Sequence, residues 1–213
     1  MLYGQSPRDE PAPGTLFIVS APSGGGKTSL VKKLLETEPN VRLSVSHTTR
    51  PPRPGEVDGH HYHFVSLPEF ERISATGGFL ESATIYGHRY GTAREGIEEE
   101  LARERDVLLE IDWQGAQQVR KLMPGVVGIF IRPPSLDVLK ARLMNRGQDA
   151  ADVIARRLAL AEEEIGHADE YDYVIINEDF NRAALDLRSI IRAERLKLAR
   201  QQARHDNMIN RIT

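Results

Sequence analysis

Two stretches of this chain have the residue types and spacing to handle phosphate. The first is Ala21-Pro-Ser-Gly-Gly-Gly-Lys27-Thr28, between an apolar run at 15–20 and the helix-forming stretch 29–35. The run predicts a short buried strand, so the glycines fall on a strand-to-helix turn. There they let backbone N–H groups curl around phosphate oxygens without Cβ clashes, and the helix dipole favours the negative charge. Lys27 is expected to reach the β- and γ-phosphates and the Thr28 hydroxyl to ligate Mg²⁺. Ala21 stands where the pattern GxxxxGK[ST] has its first glycine.

The second stretch is His47-Thr-Thr-Arg50-Pro-Pro-Arg53-Pro-Gly55-Glu56. Its prolines and glycine forbid a regular helix and stiffen the backbone. Two guanidiniums on a stiff loop suit a dianion, which they bind bidentately at a reduced entropic cost. A solvated loop with surface arginines is the equal alternative.

Further candidates lie downstream. Glu81 sits in a mainly apolar run, where a carboxylate is costly unless something donates to it. That donor is either an internal cation or a ligand. The run 106–112 reads as a buried strand ending in Asp112, where carboxylates hold Mg²⁺ or its waters. Arg142 and Arg146 stand at i, i+4 on one predicted helix, with Ser135 as N-cap, and Arg157 lies on the next. They form either a mobile arginine clamp or surface pairs with Glu162, Glu163 and Glu164. His61 and His63 fall on one face of a predicted strand with no third or fourth ligand near in sequence, so they and His60 read as exposed strand histidines rather than zinc ligands.

The elements that must position these residues alternate. Strands are expected at 15–20, 41–46, 59–65, 106–112, 126–131 and 171–176, with two more around a glycine turn between 79 and 92. Helices are expected at 68–74, 94–105, 113–123 and 136–145, a second lid helix after Asp149, and one long helix from Phe180 to about Asn207. The second half of that helix is basic: Arg188, Arg192, Arg195, Lys197, Arg200, Arg204. It reads as a solvated face or oligomer contact, with a patch for an anionic partner as the alternative.

Composition sets the outer bounds. A chain of 213 residues suits one α/β domain with insertions. A formal charge of −3 argues against a general nucleic-acid binder. Without cysteine, disulfides and thiolate chemistry are excluded. No apolar run is long enough to span a bilayer, and the polar, Pro-rich residues 1–14 do not resemble a signal peptide. The expectation is a cytoplasmic protein with a disordered extension at 1–14.

Strands alternating with helices after such a loop give a mostly parallel sheet flanked by helices, with the ligand at the carboxyl ends of the strands. The core is expected at 15–44, 95–134 and 169–213. A strand-rich insertion at 45–94 and a helical lid at 135–168 interrupt it. One bound nucleoside triphosphate, an inserted acceptor site and an arginine-rich lid suggest phosphoryl transfer between two small molecules. The lid must exclude water, or the triphosphate would be hydrolysed.

From about Gly14 to Arg211 the chain resembles bacterial guanylate kinases. The resemblance is carried by Ser46-His-Thr-Thr-Arg50-Pro-Pro-Arg53-Pro-Gly55-Glu56-Val-Asp-Gly59-His-His-Tyr62-His-Phe64, Phe79-Leu-Glu81, Tyr90-Gly91-Thr92, Ile111-Asp112-Trp-Gln-Gly115, Arg142-Leu-Met-Asn-Arg146-Gly147 and Ile175-Ile-Asn177. It implies a P-loop kinase that converts ATP and GMP to ADP and GDP with Mg²⁺. It implies GMP-phosphate ligands in Arg50, Arg53, Tyr62 and Tyr90, a guanine reader in Glu81, and hydroxyls near the base in Ser46 and Thr92. Glu110 and Asp112 are placed near GMP, with Asp112 also beside the metal, directly or through water. Glu110 stands where the family often has Asp. Arg142, Arg146 and Arg157 are implied on the transferring phosphoryl, with Lys27 and Arg50. The ATP contacts are implied as Ala21, Pro22, Ser23, Gly24, Gly25, Gly26, Lys27, Thr28 and Asn177. Two other readings compete: a related domain that binds phosphoproteins without catalysis, and a P-loop kinase for a sugar phosphate. Neither has a reason to keep Lys27, the lid arginines, Ser46, Glu81 and Thr92 together.

Overall fold

The computed structural model describes residues 13–145 and 151–209. The expected extension lies outside the described residues except for Pro13 and Gly14, and these two are anchored. The Gly14 amide donates to the Leu101 carbonyl at 2.7 Å, and Arg200 donates to the Pro13 carbonyl. Gly14 lies so close to the Arg105 carbonyl that a Cβ would sit 1.9 Å from it. Residues 13 and 14 therefore belong to the core.

The elements run β1 (Leu16–Ser20), α1 (Lys27–Thr37), β2 (Val41–Ser44), β3 (His47–Thr48), β4 (His63–Phe64), α2 (Leu67–Ala75), β5 (Phe79–Ile85), β6 (His88–Ala93), α3 (Ile97–Ala102), β7 (Asp106–Glu110), α4 (Trp113–Leu122), β8 (Val127–Arg132), α5 (Leu136–Asn145), α6 (Ala151–Gly166), β9 (Tyr173–Ile176), α7 (Phe180–Arg195) and α8 (Leu198–Ile209). The main sheet is parallel throughout, in the order β2-β7-β1-β8-β9. Every residue of the central strand β1 is buried, as expected for a parallel sheet covered on both faces.

Alternation along β1 divides the core into two layers. Phe17 and Val19 face Leu30, Val31 and Leu34 of α1 and Ala183, Leu187 and Ile191 of α7. Leu16 and Ile18 face Ile97 and Leu101 of α3 and Ala116 and Val119 of α4. Each such side chain contributes about 1.5–3 kcal/mol by leaving water, so the two layers fix β1 and the loop that follows it.

A second sheet, ordered β4-β3-β6-β5, forms the insertion. The single strand expected at 41–46 divides after Ser44, and the chain passes from one sheet to the other before His47. The strand expected at 59–65 shrinks to His63–Phe64. Local bonds compete with the ladder: Val57 N–H donates to His61 Nδ1, and Phe64 N–H donates to Asp58 Oδ1. His61 is thus held in a turn, while His63 stacks against His47 with ring centroids 4.6 Å apart. The helix expected at 94–105 is likewise confined to Ile97–Ala102, after Gly96 at φ +84°.

The long C-terminal helix is in fact two. At Leu196 and Lys197 the amides bond three residues back instead of four, and Gln201 Nε2 caps the Arg195 carbonyl. The basic stripe also turns inward. Arg188, Arg192 and Arg195 all bond the Glu38 carboxylate at 2.8 Å, and Arg195 Nε bonds Asp106 Oδ2 at 2.6 Å. Asp106 Oδ1 in turn accepts the Thr15 amide. The stripe is a clasp joining the end of α1, β1, β7 and α7. No helix among the described residues is long and apolar enough to cross a membrane.

Candidate active site

The loop between β1 and α1 is shaped by Gly24 and Gly26, at φ +89° and +95°, where L side chains are strained. Gly26 is the N-cap of α1, with no side chain bonded there and no acid in the first turn, so the terminal amides stay open to an anion. Asn177, at the end of β9, supports the loop from beneath. Its Nδ2 donates to the Gly25 carbonyl at 2.8 Å and lies where a Cβ on Gly26 would be 2.3 Å away.

A single cleft joins this loop to the insertion. Ala21, Pro22, Ser23, Gly24, Gly26, Lys27 and Thr28 line one end. Ser46, Arg53, Tyr62, Glu81 and Tyr90 line the other, with Glu110, Asp112 and Arg157 between. Lys27 Nζ rests on the Ile111 carbonyl at 3.4 Å, and Thr28 donates to Glu110 Oε1 at 3.0 Å. Arg50 stands one layer behind the lining. Its guanidinium bonds Glu56 at 2.9 Å and the Pro51 carbonyl at 2.7 Å, and it lies 5.4 Å from the Tyr62 ring centroid. The Glu56 carboxylate holds the Arg50 pKa above its ordinary value, and burial pushes the Tyr62 phenol up to about 12. Both groups stay protonated and can donate to a phosphate.

Glu81 is 4% exposed and has no cation against it among the described residues; its described hydrogen-bond donor is Thr92 Oγ1 at 2.6 Å. Thr92 has one hydroxyl proton, already given to Glu81, so Ser46, 3.4 Å away, is the donor in the next link. Burial pushes the Glu81 carboxyl up to about 7, with hydrogen bonds from Thr92 and the more distant Lys27 charge opposing the rise and Asp112 adding to it. Of the two donors the sequence left open, no cation bonds Glu81 among the described residues, and Lys27 acts on it only through its field. One carboxylate oxygen remains for a ligand bearing N–H groups.

A family model described as guanylate kinase matches residues 14–194. The chain belongs to the guanylate kinase family. The guanylate kinase of Escherichia coli strain K12 is 55% identical over 203 residues, spanning 94% of this chain and 98% of that protein. A guanylate kinase of Shewanella denitrificans is 56% identical over 199 residues, spanning 93% and 96%. The crystal structure of guanylate kinase from Anaplasma phagocytophilum shares the fold with a TM-score of 0.77 at 39% identity, covering 89% of this chain and 90% of that one.

Within this guanylate kinase fold, several residues occupy places other than those expected. Asn177, implied by the resemblance as an ATP contact, is buried beneath the phosphate loop and supports it. Arg142 does not line the cleft; it donates to the Asn177 carbonyl at 2.8 Å. Arg146 lies outside the described residues. Asp112 Oδ1 accepts the Gly115 amide at 2.9 Å as the N-cap of α4, so the carboxylate on the Thr28 hydroxyl is that of Glu110. Thr92 is fully buried behind Glu81.

Tyr86 and Glu164 are among the lining residues that went unassigned in the sequence. Tyr86 sits at the tip of the β5–β6 hairpin at φ +52°, beside Gly87 at +81°, and reaches Ser23 and Arg157. Positive φ at both central residues is the tight hairpin geometry that matches strand twist. Glu164 lines the loop end of the cleft from α6. Its spacing of seven from Arg157, two helical turns, was the available signal.

Proposed function

We propose that this chain transfers the γ-phosphoryl group of ATP to GMP, giving ADP and GDP in purine nucleotide metabolism. The observation that carries this reading is Glu81: a buried carboxylate with a hydroxyl on one oxygen and no cation bonded to it among the described residues, facing the same cleft as the phosphate loop. Guanine presents N1–H and N2–H₂ on one edge, and a carboxylate accepts both. Adenine has an acceptor at N1 and no N2 amine, so Glu81 would be left unpaired against it. A site of that kind rejects the wrong base by several kcal/mol, on the order of 10³-fold or more.

The roles divide along the cleft. Lys27 and the loop amides hold the triphosphate. Arg50, Arg53, Tyr62 and Tyr90 hold the GMP phosphate, with Arg50 oriented by Glu56. Ser46 and Thr92 fix the hydroxyl chain that orients Glu81. The acceptor is a phosphate oxygen, ionised at neutral pH, so no general base is required. Alignment and charge stabilisation by Lys27 and Arg157, both of which line the cleft, supply the rate. The insertion at 45–94 and the lid at 135–168 are the parts that close over the 15–44, 95–134 and 169–213 core.

The oxygen donors of Thr28 and Glu110, 3.0 Å apart at the loop, suit Mg²⁺, which keeps several waters and is completed by substrate phosphates. Bound there, Mg²⁺ would neutralise charge on the triphosphate. Thr28 would ligate it, and Glu110 would hold one of its waters. Free nucleotides as substrates fit a cytoplasmic enzyme.

A coupled assay of ADP formation, with ATP and either GMP, AMP, UMP or ribose bisphosphate, tests the reading. Turnover with GMP and not AMP is the expected result. Equal turnover with AMP, or turnover confined to the sugar phosphate, would overturn it.

A further inference from the structure

Helix α6 presents two opposite charges to the phosphate loop. Arg157 and Glu164 are seven residues apart, two turns, and so share a face. Both line the cleft. Arg157 lies over the Tyr86 ring, 6.0 Å from its centroid. Glu164 has gone further in: its Oε2 accepts the backbone amide of Ser23 at 3.3 Å. An anion accepting an amide of this loop does what a phosphate oxygen would do there.

We propose that Glu164 is a resident stand-in for nucleotide phosphate, occupying the mouth of the loop until the triphosphate displaces it. The proposal rests on the kinase reading above, and adds a residue to the reaction that the reading does not use. A carboxylate and a phosphate cannot share one amide at this range, because like charges in a cleft of reduced dielectric repel strongly. Triphosphate binding therefore requires α6 to withdraw Glu164, and the same face then offers Arg157.

The surroundings support displacement over permanent tethering. Burial pushes the Glu164 carboxyl up to about 7, with Asp112 and Glu163 adding to the rise and the Ser23 amide and Lys27 opposing it. Tyr86, from the insertion, also faces Glu164 and bonds Ser23. At 3.3 Å from the Ser23 amide and with its charge disfavoured by burial, the Glu164 carboxyl holds the loop weakly, and a phosphate that also engages Lys27 and the open amides of α1 can replace it. Tyr86 links the insertion to the same loop residue, so both mobile parts meet at Ser23.

The test compares wild type with E164Q and E164A. ATP affinity is measured by calorimetry without GMP, and transfer to GMP is measured separately. If the carboxylate occupies the loop about nine-tenths of the time, removing it tightens ATP roughly tenfold, since apparent affinity scales with the competent fraction. E164Q is expected to tighten ATP binding and lower KM for ATP. Unchanged or weaker ATP binding by both variants, with transfer to GMP intact, would overturn the proposal. So would a fall in kcat with KM unmoved, which would mark Glu164 as part of the transfer step. Absence of GMP turnover in wild type would instead sink the kinase reading. As a check that needs no stability in the variants, the Ser23 amide resonance of wild-type protein should shift on ATP addition, and an unmoved resonance contradicts displacement.

Discussion

Glu81 and Gly115 pack so closely that a Cβ on Gly115 would lie 2.4 Å from Glu81 Oε2. The first turn of α4 has to be bare for the carboxylate to point into the cleft. Gly115→Ala would push aside the end of a flexible side chain, which is cheap in stability and costly in function. We expect KM for GMP to rise by more than tenfold, with stability changed by less than about 1 kcal/mol because Ala gains helix propensity over Gly in α4. Steady-state kinetics and thermal melting check both. A variant with wild-type KM would show that Glu81 need not hold this position.

The charge on Glu81 gives a pH dependence with a definite sign. In the free protein burial holds its carboxyl at about 7. Guanine N–H groups bind the ionised form, so below that pH binding must also remove a proton. GMP affinity is therefore expected to rise from pH 6 to 8 and then level off. Calorimetry should show proton release on the acid side. Glu81→Gln removes this pH dependence along with much of the GMP-over-AMP preference, because one acceptor becomes a donor. The GMP phosphate titrates near the same range, so the difference between wild type and variant is the quantity to read.

Much of this site was legible from residue order, and the limits were physical. The strand-to-helix turn at 21–28 announced itself because glycines and Lys27 leave few alternatives. Glu81 announced a missing partner because a carboxylate in an apolar run has to be explained. Longer-range geometry was not legible. Within the run Glu162-Glu163-Glu164, only the seven-residue spacing from Arg157 separates the residue that turns into the cleft from its two exposed neighbours. The basic stripe of α7 looked solvated because its partner, Glu38, is 150 residues away from Arg188 in sequence. That Glu110 rather than Asp112 meets the Thr28 hydroxyl was not legible, because the N-cap that engages Asp112 Oδ1 exists only once α4 forms.

The clasp around Glu38 makes a stability prediction. Burial raises the carboxyl pKa, but hydrogen bonds from Arg188, Arg192 and Arg195 outweigh it and the net shift is downward from 4.5. A depressed carboxylate stabilises the fold above its unfolded pKa, and that contribution is lost as pH falls through the folded value. Glu38→Gln should cost about 2–3 kcal/mol at pH 7, less than for a fully buried pair because Arg192 is half exposed. In a chain of this size that lowers Tm by roughly 4–12 °C. The gap between wild type and variant should narrow as pH falls from 4.5 through the folded value, and a gap that persists once the carboxyl is protonated would show that packing rather than charge is responsible.

Lys27→Ala separates the two halves of the cleft. Lys27 lines the loop end, while Arg53, Tyr62, Glu81 and Tyr90 line the other. Lys27 Nζ has only the Ile111 carbonyl as its described hydrogen-bond partner, at 3.4 Å, so little of the fold depends on it. Its removal takes away a charge that acts on the triphosphate as negative charge redistributes in transfer, and a loss of at least 10²-fold in kcat is expected. GMP binding should change by less than a factor of about three, because a single screened charge at the far end of the cleft contributes under 1 kcal/mol. Calorimetric titration of GMP without ATP reads this directly. If GMP affinity falls as far as kcat does, donor and acceptor do not occupy separate ends, and the division of roles along the cleft is wrong.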